Sequence, residues 1–109
     1  MEQQALFVPL LVWLIGGSRI GGTYNDYYGS VTQDPAKPMW GQKIFNYRVA
    51  IEKIDDEEYV GAAWYPGMQA FKNTPADDVT SKTFACTAQG CDEAKAWLEE
   101  QKAAFFAAE

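Results

Sequence analysis

The spacing of hydrophobic residues along the chain predicts different elements in different parts. In the middle of the chain, every second residue is large and apolar: Phe45, Tyr47, Val49 and Ile51. This period of two is typical of a strand with one buried face. The acidic run 55–58 predicts a turn, and 59–65 predicts a returning strand that ends at Pro66.

The pattern of the last third predicts a third strand and one helix. Phe84 and Cys86 share one face of a strand over 80–87. Asp92 is a favourable N-cap for a helix. The residues that follow it at helical spacing would form one side of that helix: Ala94, Trp97, Leu98, Gln101 and Phe105. We therefore predict an α+β fold, with a small antiparallel sheet of two to three strands and one C-terminal helix.

A strongly apolar segment, ALFVPLLVWLI at 5–15, precedes these elements. A helix over 3–20 is about 27 Å long, just enough to cross a bilayer. We therefore predict a short transmembrane helix docked against larger subunits. The anchor residues of this prediction are Phe7, Val8, Leu10, Leu11, Val12, Trp13, Leu14 and Ile15.

Two other interpretations of the segment stay open. A signal peptide begins with basic residues, whereas MEQQ carries an acid and no base, and no clear small-x-small cleavage site follows. A buried hydrophobic segment of a soluble domain is the third interpretation, with turns at the glycine pairs 16–17 and 21–22. Basic residues follow the segment, namely Arg19, Lys37 and Lys43. If it spans a membrane, the positive-inside rule places the following domain on the cytoplasmic or stromal side.

The connector 21–42 is rich in glycine, proline and asparagine and has no regular period. Its pattern predicts an extended arm at 23–43 between an anchor at 1–22 and an α+β domain at 44–109. The aromatic residues of this arm either lie on a partner or fold back onto the core, and Phe105 and Phe106 are difficult to bury against three strands. We predict a partner-binding set of six residues: Tyr24, Tyr27, Tyr28, Trp40, Phe105 and Phe106.

Composition and charge narrow the possible chemistry. The net charge is −6, and no basic cluster is present, which argues against nucleic acid as a partner. The chain has no histidine, the commonest general base and zinc ligand. Cys86 and Cys91 have a C-x4-C spacing that matches neither a redox nor a zinc motif, and we predict that both are reduced. We predict no catalytic residue, no metal and no enzyme activity.

The layout of the chain resembles that of small accessory subunits of photosystem I and of other large bioenergetic membrane complexes. The resemblance rests on VPLLVWLIGG, NDYYGS, the paired strands and DEAKAWLEEQ. It implies a structural role between subunits at the thylakoid membrane, on the stromal or cytoplasmic side, with larger membrane subunits and the lipid bilayer as partners. It implies no cofactor of the chain's own and leaves contact with neighbouring lipid or pigment open. The alternative is a tethered or secreted α+β module that binds a peptide or ligand.

Overall fold

A computed structural model of the chain describes residues 6–17, 20–34, 36, 42–67 and 78–107. In order along the chain, the elements are α1 (Leu11–Ile15), β1 (Tyr27–Thr32), β2 (Ile44–Ile54), β3 (Glu57–Pro66), β4 (Thr80–Ala85) and α2 (Ala88–Ala107). The strands form one antiparallel sheet in the order β1-β2-β3-β4. The predicted α+β class and C-terminal helix are confirmed, but the sheet has four strands and the prediction of two to three was wrong.

The long hairpin β2–β3 forms the centre of the sheet. Ile54 pairs with Glu57, so that Asp55 and Asp56 alone make the turn. Both aspartates have positive φ, 52° and 67°, as a two-residue type I′ turn requires. The apolar alternation in β2 buries Phe45, Tyr47, Val49 and Ile51 on one face, as predicted.

Helix α2 packs on this apolar face of the sheet. Its buried residues include Ala94, Leu98 and Phe106. The helix begins at Ala88, and the Thr87 hydroxyl accepts the Gly90 N–H at 2.9 Å. The prediction of Asp92 as N-cap was therefore wrong: Asp92 lies inside the helix, and Thr87, directly before Ala88, accepts a free N–H of the first turn.

Two side chains from the β1–β2 region cap the C-terminal end of α2. The Gln33 amide donates to the Phe106 carbonyl at 2.9 Å, and the Lys43 ammonium donates to the Phe105 carbonyl at 2.8 Å. A cation in this position also interacts favourably with the negative end of the helix dipole. These contacts fix Phe105 and Phe106 at the sheet, where Phe105 packs against Trp64 with ring centroids 5.2 Å apart.

The predicted transmembrane helix over 3–20 was wrong. Among the described residues, no helix combines the length and the apolar character needed to cross a membrane. Helix α1 has five residues, about 7.5 Å at 1.5 Å per residue, against a hydrocarbon layer of about 30 Å. Leu10 ahead of it is extended, with ψ of 153°, and Gly16 ends it with φ of 56°. Leu6 and Leu14 are instead buried against the sheet and α2.

Strand β1 lies inside the segment predicted to be an extended arm. It pairs along its whole length with β2, from Tyr27 opposite Val49 to Thr32 opposite Ile44. The sequence did not predict this strand, because its alternate positions are Tyr27, Gly29 and Val31. Glycine in the middle position interrupts the pattern of large apolar residues. The Tyr47 ring occupies the space above that glycine, where a Cβ would come within 2.5 Å of the ring.

Candidate functional site

The segment 6–10 belongs to no strand of the sheet, and side chains hold it in place. The Tyr47 hydroxyl donates to the Phe7 carbonyl at 2.7 Å and accepts the Phe7 N–H at 3.1 Å. One residue earlier, the Leu6 N–H donates to the Glu99 carboxylate of α2 at 2.9 Å. Burial raises the pKa of the Tyr47 hydroxyl well above its usual range, so that this hydroxyl keeps the proton it donates.

Helix α1 is tied to the loop that leads into β1. The Asn25 amide donates to the Trp13 carbonyl at 2.8 Å, and the Asn25 N–H donates to the Leu14 carbonyl at 3.0 Å. A Cβ on Gly16 would lie 2.7 Å from the Asn25 amide nitrogen, so glycine is needed for this close approach. These bonds set the direction in which Trp13 projects.

The Tyr27 ring of β1 contacts three other aromatic rings. The Tyr27 ring lies edge-on to Phe7, with centroids 5.2 Å apart, and to Trp13, with centroids 6.2 Å apart. On its other side, Tyr27 contacts Tyr47 at 5.9 Å between centroids. The first strand of the sheet thus supports the side chains that the apolar segment presents.

These residues form an exposed groove of about 370 Å³, lined by Phe7, Pro9, Leu10, Trp13 and Tyr27. We call these five residues the apolar surface. Exposure is 59% for Phe7, 75% for Leu10 and 43% for Trp13, and Val12 of the same short helix is 73% exposed. Large apolar side chains gathered around one groove are typical of an interaction site.

The predicted anchor residues divide between the interior and this surface. Phe7, Leu10, Val12 and Trp13 are exposed, whereas Leu14 is fully buried. Val8 and Leu11 pack against the core, and Ile15 is half-buried. The segment therefore has one side in the core and one side in solvent.

The residues predicted to bind a partner do not form one surface. Phe106 is buried, and Phe105, Tyr24 and Tyr27 are half-buried against the core. The Tyr24 hydroxyl donates to the Glu58 carboxylate. Trp40 lies outside the described residues. The partner-binding role of this set stays a prediction, and Tyr27 is its member that lines the apolar surface.

Among the described members of the predicted set, Tyr28 is exposed, at 52%, but it lies on the opposite face of the sheet from Tyr27. Its hydroxyl accepts a hydrogen bond from Arg48 at 3.2 Å, and the guanidinium lies over its ring. Arg48 also pairs with Asp26 at 3.1 Å and with Glu52 at 3.7 Å. Tyr28 therefore belongs to a polar network.

The described residues contain no group of three or more cysteine, aspartate or glutamate side chains that could hold a metal ion. No disulfide joins Cys86 and Cys91 in the described part of the chain, and Cys91 is buried. Burial raises the pKa of Cys91, and nearby Cys86 and Asp92 act in the same direction. A protonated thiol is a poor nucleophile and metal ligand. The redox state of the pair stays a prediction.

Comparison with protein-family models, with curated proteins and with solved structures gives no match for this chain.

Proposed function

We propose that the protein is a non-catalytic accessory subunit that attaches to a larger membrane protein complex through the apolar surface. The observation that carries this proposal is the exposure of Phe7, Leu10 and Trp13 around one groove whose lining residues are all apolar or aromatic. Attachment to a partner removes such side chains from water, at about 25 cal/mol for each Å² of apolar area.

A non-catalytic role is supported by the composition and by the state of the thiols. The chain has no histidine to activate a nucleophile, and burial keeps Cys91 protonated. The aspartates of the β2–β3 turn, Asp55 and Asp56, are exposed. They lack the burial that tunes a carboxylic acid for catalysis.

The proposal also names a complex and a side of the membrane. We propose photosystem I because of the layout of the sequence. We place the domain on the stromal or cytoplasmic side because of the basic residues Arg19, Lys37 and Lys43. Of these three residues, Lys43 alone lies in the described part of the chain, where it caps α2. Both assignments stay predictions.

The groove itself favours a second candidate function. Its volume of about 370 Å³ falls within the range of about 300–1,000 Å³ that small-molecule sites occupy. A binding module for an apolar ligand or peptide side chain is therefore the alternative to an accessory subunit.

Cell fractionation followed by native electrophoresis tests the proposal. We expect the full chain to remain with membranes after a carbonate wash and to co-migrate with a large complex. Leu10→Glu places a charge on the apolar surface and should abolish co-migration. Ile54→Glu is the matched control, because Ile54 is 45% exposed at the far end of β2 and is not part of the surface. Migration of the wild-type chain as a free small protein would favour the binding module, and normal co-migration of Leu10→Glu would refute the surface.

A further inference from the structure

We propose that one segment of the partner protein binds across the apolar surface and an adjoining groove, with a large apolar side chain against Leu10 and a carboxylate against Lys95. This inference rests on the proposed function and names the chemistry of the partner at the same surface. Its support comes from the second groove, from the area of the exposed side chains and from the position of Lys95.

A second groove, of about 330 Å³, adjoins the apolar surface. Pro9 and Leu10 line both grooves, so a segment bound in one can continue directly into the other. The first half of helix α2 contributes four further lining residues to the second groove: Ala88, Cys91, Asp92 and Lys95. We call this second groove the polar groove, because Asp92 and Lys95 are exposed charged residues in its lining.

The two grooves together require an occupant with both apolar and polar groups. No side chain caps the first turn of α1 at Leu10, so the N–H groups of that turn need water or a hydrogen-bonding partner. Covering the polar groove also removes water from Asp92 and Lys95, which costs free energy unless other polar groups replace that water. A protein segment supplies such groups from its backbone and side chains, whereas hydrocarbon does not.

The area of the exposed side chains corresponds to an ordinary interface between two different proteins. Scaled by their exposed fractions, Phe7, Leu10, Val12 and Trp13 present roughly 400 Å² of apolar area. A standard interface buries about 800 Å² on each partner, of which a little over half is non-polar. A second copy of the chain fits less well, because it would bring the same net charge of −6 to the contact.

The charge of Lys95 decides which polar group the partner presents. The chain has 15 acidic and 9 basic residues, so a basic group of the partner would be attracted to many places on it. An acidic group has fewer such places, and Lys95 is one that lies in the polar groove. Within the described part of the chain, Lys95 takes part in no ion pair, so a carboxylate can pair with its ammonium. Such a pair fixes the register of the segment.

Selection from a phage-displayed library of random dodecapeptides on the purified full chain tests the inference. We expect the enriched peptides to combine a large apolar residue with an aspartate or glutamate, and to lose binding to Leu10→Glu. On Lys95→Glu, the selection should enrich lysine or arginine in place of the acid. Lys53→Glu is the matched control, because Lys53 is also exposed but lies at the far end of β2. It should enrich the same peptides as the wild-type chain.

Fluorescence anisotropy with one enriched peptide and with its acid-to-lysine form measures the contribution of charge. The wild-type chain should bind the acidic form about threefold to tenfold more tightly, and Lys95→Glu should reverse this preference. The preference of the wild-type chain should decrease at high salt, since the pair is exposed. Circular dichroism and urea unfolding of all variants confirm that no loss of binding comes from unfolding.

Several results would overturn the inference. Among these are failure to enrich any peptide whose binding requires Leu10, enrichment of apolar peptides that lack an acid, and an unchanged charge preference in Lys95→Glu. Concentration-dependent dimerisation that Leu10→Glu abolishes would overturn it in favour of a second copy. Sedimentation with phosphatidylcholine vesicles that Leu10→Glu abolishes would overturn it in favour of a bilayer.

The two proposals fail in different ways. Co-migration that Leu10→Glu abolishes, without selection of acidic peptides, would refute the pairing with Lys95 and keep the accessory subunit. Selection of the expected peptides without any co-migrating complex would support the peptide contact and refute the accessory subunit.

Discussion

Gly29 lies opposite Tyr47 in the pairing of β1 with β2, and the Tyr47 ring crosses over it toward the segment 6–10. A Cβ at Gly29 would lie 2.5 Å from the ring carbon Cζ and 2.7 Å from the hydroxyl oxygen. Gly29→Ala therefore forces the ring away from β1. Since the hydroxyl holds both backbone groups of Phe7, this movement also loosens the apolar surface.

The expected change combines three effects. Overpacking costs about 1–3 kcal/mol, and each weakened hydrogen bond to Phe7 costs about 1 kcal/mol. Alanine regains about 0.5–1 kcal/mol, because glycine loses more backbone freedom on folding. We therefore expect Gly29→Ala to lower the free energy of unfolding by about 2–4 kcal/mol.

A double-mutant cycle followed by urea denaturation isolates the steric effect. Tyr47→Val removes the ring and keeps a residue suited to a strand. In that background, Gly29→Ala should be stabilising by about 0.5–1 kcal/mol, since only its backbone effect remains. The same destabilisation in both backgrounds, or a stabilising effect in the wild-type chain, would refute the account of the close contact.

Three further predictions concern the turn, the cap of α2 and alkaline pH. Asp56→Gly should raise the free energy of unfolding by about 1 kcal/mol, because Asp56 has a φ of 67° that glycine adopts without steric cost; an unchanged or lower thermal midpoint would contradict this. Thr87→Ala should cost about 1 kcal/mol, because the Gly90 N–H loses its acceptor, and Thr87→Ser should restore most of it; equal losses in the two variants would argue against capping. Above about pH 10, the unfolded chain loses the Tyr47 proton before the folded chain does, because burial raises the folded pKa. Stability from this group is thus present below about pH 10 and falls by up to about 1.4 kcal/mol per pH unit above it. Tyr47→Phe should show a shallower decline, and parallel pH profiles would refute the assignment.

The β2–β3 hairpin was the part of the fold most accessible from sequence. Its alternation extends over many residues, and acidic residues mark the turn between two regular strands. Local signals and tertiary burial agree there, since the residues of one face pack against α2. The exact turn, at Asp55 and Asp56, depends on the register of the pairing, which the pattern of charges does not encode.

Strand β1 and the start of α2 could not be derived in the same way, because each depends on a close approach between parts of the folded chain. Gly29 breaks the alternation of β1, and the residue that explains it is Tyr47 on the neighbouring strand. Gly90 is similar: a Cβ there would lie 1.8 Å from the Ala85 carbonyl oxygen, so its absence lets α2 begin directly against the end of β4. Each glycine marks a close approach that appears only once the chain is folded.

The apolar surface was partly visible in the sequence, although the structure attached to it was wrong. The residues that now form it, including Phe7, Leu10 and Trp13, were predicted to contact lipid because the segment is strongly apolar. A high hydropathy indicates that a side chain favours leaving water. It does not show whether the side chain is buried in the core of its own chain or against a partner. The segment has side chains of both kinds: Leu14 is fully buried in the core, and Leu10 is 75% exposed.

This division explains why the exposed residues are held so firmly. Leu6 and Leu14 anchor the two ends of the segment in the core, and Tyr47 holds Phe7 between them. Leu6 and Leu14 supply the buried contacts of the segment, whereas the most exposed side chains, Leu10 and Val12, could be polar at little cost to the core. Leaving Leu10 and Val12, at 75% and 73% exposure, in water costs solubility and adds little to the folded interior. The segment therefore presents these side chains to an apolar partner.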